Sequence, residues 1–420
     1  MFFWRTGLWR RPDFLKLWAG QSVSLFGSQV TLLALPLTAV LTLHASPLQM
    51  GLLGAANTAS LLLVSLFAGV WVDRLPRKSV MLVSNLGQAL LLGSVPIYAL
   101  LGLLRIEYLY AISFLAGTLT TFFFVAYASY LPSLIEPEEL IEGNSKLEAS
   151  RALAEIGGPA LAGLLVQLFS APLAIVVDAL SFLGAAGSLT LVQRREERAH
   201  MEEGPQRIWT QIVEGLRLIW RDPVLRPIAF CNASFNCSGT LLFTVFPLYT
   251  VRELHLSPLL LGIALAGGSV GGLLGSFLAG PLSRRFGPGR AIVGAACVEG
   301  IGDLLIPLAV GPLFVIVALL ILARLISGVT ELVYHINQIS LRQYRTPQAL
   351  QGRMNASMRF FSGGAIPLAA LLAGLLGSVI GLRATLFIGA AGTCLSCLWP
   401  LLSPVRRITS LKQEEAPSFP

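Results

Sequence analysis

Twelve long apolar runs fill almost the whole chain, at about 14–43, 47–72, 79–103, 107–131, 146–169, 172–192, 224–250, 257–280, 290–310, 312–340, 354–380 and 382–402. A hydrocarbon core of ~30 Å is crossed by about 20 helical residues. Backbone polar groups in lipid must pair internally, which leaves only helices and closed barrels. A barrel shows short segments of alternating polarity, whereas these runs are apolar on nearly every face. The expected fold is therefore an all-α membrane protein with twelve transmembrane helices, multi-pass in the inner (cytoplasmic) membrane of the cell. Composition agrees: 55% of residues are hydrophobic and 12% charged, against about 25% charged in soluble domains, and the mean hydropathy is +0.73.

The 30 Lys and Arg residues set the orientation. With both termini cytoplasmic, 24 of them fall on the cytoplasmic side, three (Arg105, Arg252, Arg383) outside and three (Arg151, Arg324, Arg359) within helices. That asymmetry predicts both ends inside. The net charge of +8 is thus a membrane-orientation signal, and no nucleic-acid partner is expected. MFFWRTGLWRRPDF lacks a short apolar region with a small-residue cleavage site, so the first span is expected to be retained. Cys394 and Cys397 form a C-x-x-C inside the last span; without a second ligand pair they are read as packing, and no metal or cofactor is expected.

The chain repeats itself. An offset of 211 carries Pro36 to Pro247, Ser46-Pro47 to Ser257-Pro258, Gly51 to Gly262 and Gly69 to Gly280, and EPEELIEGN answers TPQALQGRMN after a small drift. The expected organisation is an N-terminal six-helix bundle (1–192), a cytoplasmic linker with an amphipathic helix (193–222), a second bundle (223–403) and a disordered tail (404–420). Such a repeat, with a site near the midplane where the halves meet, suits a transporter that alternates access.

Between the second and third spans stands Gly69-x-x-x-Asp73-Arg74-x-x-Arg77-Lys78, which resembles the signature loop of the major facilitator superfamily, with Pro76 where that pattern has Gly. Gly158-Pro159-Ala160-Leu161-Ala162-Gly163 in the fifth span looks like the antiporter motif of that superfamily, with Ala at one Gly position. VDALSFL, NQISLRQ and LQGRMNASMR resemble the drug:proton antiporter branch that contains macrolide efflux proteins and the enterobactin exporter. The resemblance implies proton-driven export of an amphipathic organic molecule. The fourth span, FLAGTLTTFFF, lacks the arginine usual there; Arg324-x-x-x-Gly328 occupies the matching place in the tenth.

Ionisable residues at membrane depth are costly and normally face the protein interior. The fifth span carries Glu148, Arg151 and Glu155 on one face, the sixth Asp178, the ninth Glu299 and Asp303, the tenth Arg324, Glu331 and His335, and the eleventh Arg359. In the family the first, fourth, seventh and tenth spans line the cavity, which makes Glu331 the leading proton carrier, with Arg324 and His335 on its face and Asp178 and Glu155 as alternatives. A static ion pair stapling the tenth span to a neighbour is the competing reading, and Glu299 with Asp303 is read as a local structural pair. The cavity candidates are Gln21, Gln29, Tyr127, Asn232, Asn236, Tyr334 and Asn337, aromatic faces and amides that suit an amphipathic ligand. Gating is expected at Gly69, Asp73, Arg74, Arg77, Lys78, Arg284, Arg285, Glu148, Arg151, Arg353, Arg359, Gly158 and Pro159. In the family the two charged loops close against the eleventh and fifth spans at the cytoplasmic side. Small-residue stripes at Gly267, Gly271 and Gly275 predict close helix approach.

No G-x-x-x-x-G-K-[ST] loop occurs, which disfavours an ATP-driven pump. No nucleophile, base and orienting group recur in one extramembrane segment, so an enzyme is not expected. The partners expected are a small-molecule substrate, protons and the lipid bilayer, with the chain monomeric. Uncoupled or uptake facilitation is the alternative, and a non-transporting sensor or assembly factor the reading of another class.

Overall fold

The computed structural model describes residues 7–72, 74–136, 139–193 and 208–410. Asp73, Glu138, residues 194–207 of the linker and the end of the tail lie outside them. Fifteen α-helical segments and no strand are present among the described residues. Ten helices are long and apolar enough to cross a membrane. The expected spans at 146–169 and 290–310 are helical but outside those ten. The first, in α5 (Leu140–Leu168), carries Glu148, Arg151 and Glu155; the second, α10 (Pro288–Leu304), has only 17 residues.

The chain divides into two compact units. The first contains α1 (Pro12–Leu37), α2 (Pro47–Val72), α3 (Arg77–Leu100), α4 (Ile106–Leu134), α5 and α6 (Ala171–Thr190). Residues 255–263 also belong to it. Here α1 packs against α5 and α6, α3 against α4 and α6, and α2 against α4. Pro36 sits near the end of α1, which continues as a π-helical turn, Thr38–Thr42. A proline without an N–H and a widened turn are common sources of helix distortion.

The second unit contains α7 (Ile208–Arg221), α8 (Leu225–Arg252), most of α9 (Pro258–Phe286), α10, α11 (Leu313–Arg345), α12 (Gln351–Gly363), α13 (Ile366–Val379), α14 (Leu382–Ser396) and α15 (Leu398–Leu401). The amphipathic α7 does not stand alone. Its Leu218 and Ile219 are buried in the core of this unit, and a Cβ on Gly215 would meet the Arg353 carbonyl and the Ser357 hydroxyl of α12. The eleventh apolar run is interrupted at Gly364 and Ala365, between α12 and α13.

Glycines set the closest helix contacts, as small residues do where no hydrophobic drive separates helix from lipid. On α9, Cβ atoms at Gly271 and Gly275 would meet the carbonyl oxygens of Leu325 and Val329 on α11, and one at Gly267 would lie 3.1 Å from that of Ile321. Gly328 on α11 is pressed reciprocally against the Gly268 carbonyl. This is the stripe expected from the sequence, now with its partner helix.

Each unit also ties the start of its first membrane helix to the end of its fourth. In the first, Arg11 pairs with Glu136 at 3.5 Å and Glu139 at 3.3 Å. In the second, Arg345 pairs with Asp222 at 3.1 Å. Arg11 and Asp222 are equivalent at the 211 offset, so the repeat preserves the tie with its polarity reversed.

Candidate functional site

In the second unit α8 and α11 meet through polar and aromatic groups. The Tyr334 hydroxyl donates to Asn232 Oδ1 at 2.8 Å, and its ring stacks on Phe235 with centroids 6.0 Å apart and planes 6° from parallel. Asn236 Nδ2 donates to the Ser362 carbonyl at 3.3 Å, reaching α12. Asn337 is buried and donates to the Val333 carbonyl of its own helix. Three of the expected cavity residues thus connect helices, whereas Asn337 pairs within α11.

In the first unit Gln21 is buried on α1, and Tyr127 on α4 stacks on Phe123 at 5.8 Å. Gln29 packs on Gly158, where a Cβ would overlap its side chain. A residue read as cavity wall and one read as gating are therefore one contact between α1 and α5. Pro159 follows, and a Cβ on Gly262 would strike its carbonyl oxygen.

The expected gating charges have identifiable surroundings. Arg77 donates to the Ser129 carbonyl in the last turns of α4 at 3.0 Å, and Lys78 to that of Val192, just past the end of α6, at 2.6 Å. Cations at helix C-termini are favourable. Arg74, Arg284, Arg285 and Arg359 are exposed, and Arg353 is half-buried. Gly69 lies within α2. On α5, Arg151 bridges Glu148, with contacts of 3.0 and 3.1 Å, and Glu155 within its own helix.

The charges at depth differ most from expectation in their grouping. Glu331 and His335 are exposed on α11, while Arg324, two turns back and roughly 10 Å along the axis, is half-buried with its Nε buried and unpartnered. The Arg324 guanidinium lies over the Phe243 ring, 4.6 Å from its centroid. Glu299 and Asp303 do not pair only with each other: both are buried, and each meets a hydroxyl of α11. The Thr330 hydroxyl donates to Glu299 Oε2 at 3.3 Å and that of Ser327 to Asp303 Oδ1 at 3.0 Å. The signal in the sequence was a matched spacing, Glu299-x-x-x-Asp303 facing Ser327-x-x-Thr330. In the first unit Asp178 is 1% exposed, accepts from the Ser181 hydroxyl at 3.1 Å and lies against Gly27 of α1.

A further group escaped sequence reasoning. Arg342 donates to Gln338 Oε1 at 3.1 Å and to Asn355 Oδ1 at 2.6 Å, joining α11 to α12. NQISLRQ and LQGRMNASMR, the phrases that carried part of the resemblance, therefore meet in space.

Comparison with known proteins places this arrangement. Solved structures share the fold: a nucleoside transporter, NupG, has a TM-score of 0.76 at 11% identity, covering 96% of this chain and all of that one. A bacterial homologue of the iron transporter ferroportin has a TM-score of 0.72 at 19% identity, covering 94% and 99%. Among sequences, the multidrug efflux pump Tap of Mycolicibacterium fortuitum is 29% identical over 393 residues, 90% of this chain and 92% of that protein. Tap of Mycobacterium tuberculosis is 29% identical over 384 residues, covering 90% and 89%. The transmembrane secretion effector family matches residues 8–420. With its helices, its repeat and its signature loop, the chain belongs to that family of the major facilitator superfamily, whose members are membrane transporters rather than enzymes.

Proposed function

We propose that this protein is a secondary active exporter of amphipathic organic molecules, drug-like or siderophore-like, driven by proton antiport. It works as a monomer in the cytoplasmic membrane by alternating access, with both termini inside and its two six-helix halves joined by residues 193–222. The observation that carries coupling is the set of carboxylates Asp178, Glu299 and Asp303, buried inside helices with hydroxyl partners and, among the described residues, no ion pair. Such groups at membrane depth mark ion and proton pathways by default. Substrate class is supported by Tyr334, Phe235, Asn232 and Tyr127, since aromatic faces hold apolar bodies without strict geometry while amides orient a few polar groups. The relatives named as multidrug efflux pumps support export.

The test is efflux from cells preloaded with ethidium, a planar aromatic cation. Expression should accelerate ethidium loss from energised cells, and a proton uncoupler should abolish the acceleration. Uncoupler-resistant efflux, or faster ethidium entry in energised cells, would contradict the proposal.

A finer expectation concerns Tyr334. Tyr334→Phe removes the buried hydrogen bond to Asn232, which should lower stability in detergent by about 0.5–1.5 kcal/mol while ethidium affinity stays within about twofold, the ring on Phe235 being retained. Tyr334→Ala, which removes the ring, should weaken ethidium binding clearly. Equal affinity in wild type and the alanine variant would remove Tyr334 from the binding surface.

A further inference from the structure

The coupling group can be narrowed within the second unit, an inference that rests on the proton-antiport reading. Glu299 and Asp303 are 4% and 6% exposed and one turn apart on α10. Among the described residues the cation beside them is Arg324, which lines a crevice with Asp303 and forms no ion pair with either carboxylate within 4 Å. Two buried carboxylates and one cation leave one negative charge in excess. An uncompensated buried charge is strongly unfavourable, and a group so placed is held neutral instead. Exactly neutral bookkeeping is reached when the carboxylate pair holds one proton.

A narrow crevice of about 10 Å³, roughly the space of one water, is lined by Leu242, Phe243 and Phe246 of α8, Asp303 and Ile306 of α10, and Arg324 of α11. Asp303 and Arg324 thus share one opening, with the guanidinium resting on Phe243 and its Nε pointing at no acceptor.

We propose that Glu299 and Asp303 share the coupling proton, and that Arg324 moves from the Phe243 ring to the Asp303 carboxylate when that proton leaves. In the step the carboxylic O–H bond breaks, its electron pair stays on oxygen and the proton passes to water in the crevice. The guanidinium then pairs directly with one carboxylate, and the cluster keeps one negative charge for the incoming cation to offset. Moving Arg324 uncovers the Phe243 face, on which an aromatic cation can stack in its place. Proton release and substrate binding are linked by that exchange of one cation for another.

Other groups bear on the pair. On α11 they are Arg324, Glu331 and Tyr334; on α14, Cys394; on α8, Cys231. Arg290, Arg406 and Arg407 belong to the other end of α10, where the Gly289 amide donates to the Ile408 carbonyl. Glu331 is the acid that must be distinguished from the pair.

The experiment uses the full chain and ethidium as the probe. In proteoliposomes, Glu299→Gln and Asp303→Asn should each lower pH-gradient-driven ethidium transport at least tenfold. Ethidium exchange at equal concentrations should stay within about twofold of wild type for Glu299→Gln, a split between coupling and binding, and should fall for Asp303→Asn, in which Arg324 keeps the Phe243 face covered. Asp303→Glu should recover part of the driven flux, and Glu331→Gln should lose about threefold or less. A second arm does not depend on the buried variants folding. Purified Glu331→Gln protein in weak buffer should release a proton on binding ethidium as wild type does. If Glu331→Gln loses both proton release and driven flux while the Glu299 and Asp303 variants keep theirs, the pair is not the carrier, though antiport stands. If wild type transports ethidium with no response to a pH gradient, the antiport reading itself fails.

Discussion

Gly328→Leu is expected to prevent stable assembly of the second unit. A Cβ at this position would fall on the Gly268 carbonyl oxygen and lie 2.8 Å from the Gly272 amide nitrogen. Both obstacles are helix backbone, so no side-chain rotation relieves them, and α9 and α11 must separate. Extra methylenes in a well-packed interior cost about 1–3 kcal/mol where side chains can adjust; here the loss should be larger. It would also open the contacts at Gly271 and Gly275 along the same seam. Gly294→Ala on α10 is the control, because nothing lies within 4 Å of a Cβ there. Alanine in place of an exposed helical glycine should be neutral or favourable by about 0.5–1 kcal/mol. Thermal unfolding in detergent reads both: little monodisperse Gly328→Leu protein and a sharply lowered melting temperature, against an unchanged or raised one for Gly294→Ala. Wild-type melting of Gly328→Leu would mean that the two helices are not in backbone contact.

Loss of Asp222 should be the second large effect. Its carboxylate is almost wholly buried and makes three contacts: Arg345 Nε at 3.1 Å, and the amides of Val224 and Leu225 at 2.7 and 2.9 Å. It therefore caps the start of α8 and neutralises the last residue of α11 at once. Asp222→Ala leaves a buried guanidinium without its counter-charge, about 3–5 kcal/mol, and removes a helix cap of about 1 kcal/mol. Arg345→Ala should cost a comparable amount by stranding the carboxylate. The double variant should cost clearly less than the two singles summed, because neither partner is then left unpaired. Additive losses in such a cycle would show that the two side chains act independently. In the first unit, Arg11→Ala should cost only ~1 kcal/mol or less, since its side chain and that of Glu136 are 41% and 49% exposed and exposed pairs contribute little.

Much of the fold was legible because lipid imposes a coarse requirement: long apolar runs and closely set glycines. The α9 stripe at Gly267, Gly271 and Gly275 could be read directly, although its partner could not, since spacing identifies a face and not what meets it. The docking of α7 was hidden for the same reason. Its amphipathic pattern suits a membrane surface or a protein surface equally, and Gly215 against α12 decides for the protein. The break at Gly364 and Ala365 interrupts an apolar run without changing its hydropathy, so the eleventh span read as one helix.

The candidate site was legible by residue type and not by grouping. Tyr334 and Asn232 were both recognisable as polar groups on lining spans, yet their hydrogen bond depends on how α8 and α11 are rotated. Glu331 stood out because the resemblance put the tenth span among those expected to line the cavity, whereas Glu299 and Asp303 lie on the ninth, which was not among them. Burial reverses that emphasis: Glu331 is exposed and the α10 pair is not. Sequence places charges on a helix; only packing says which of them lack a counter-charge.

Proton and ethidium fluxes measured together on one proteoliposome preparation test the coupling most directly. With an inward ethidium gradient and no initial pH difference, ethidium entering the lumen should drive protons out, making the lumen alkaline. An imposed outward proton gradient should in turn accumulate ethidium above its external concentration. Ethidium that equilibrates without moving protons, and that no pH gradient can concentrate, would contradict proton antiport.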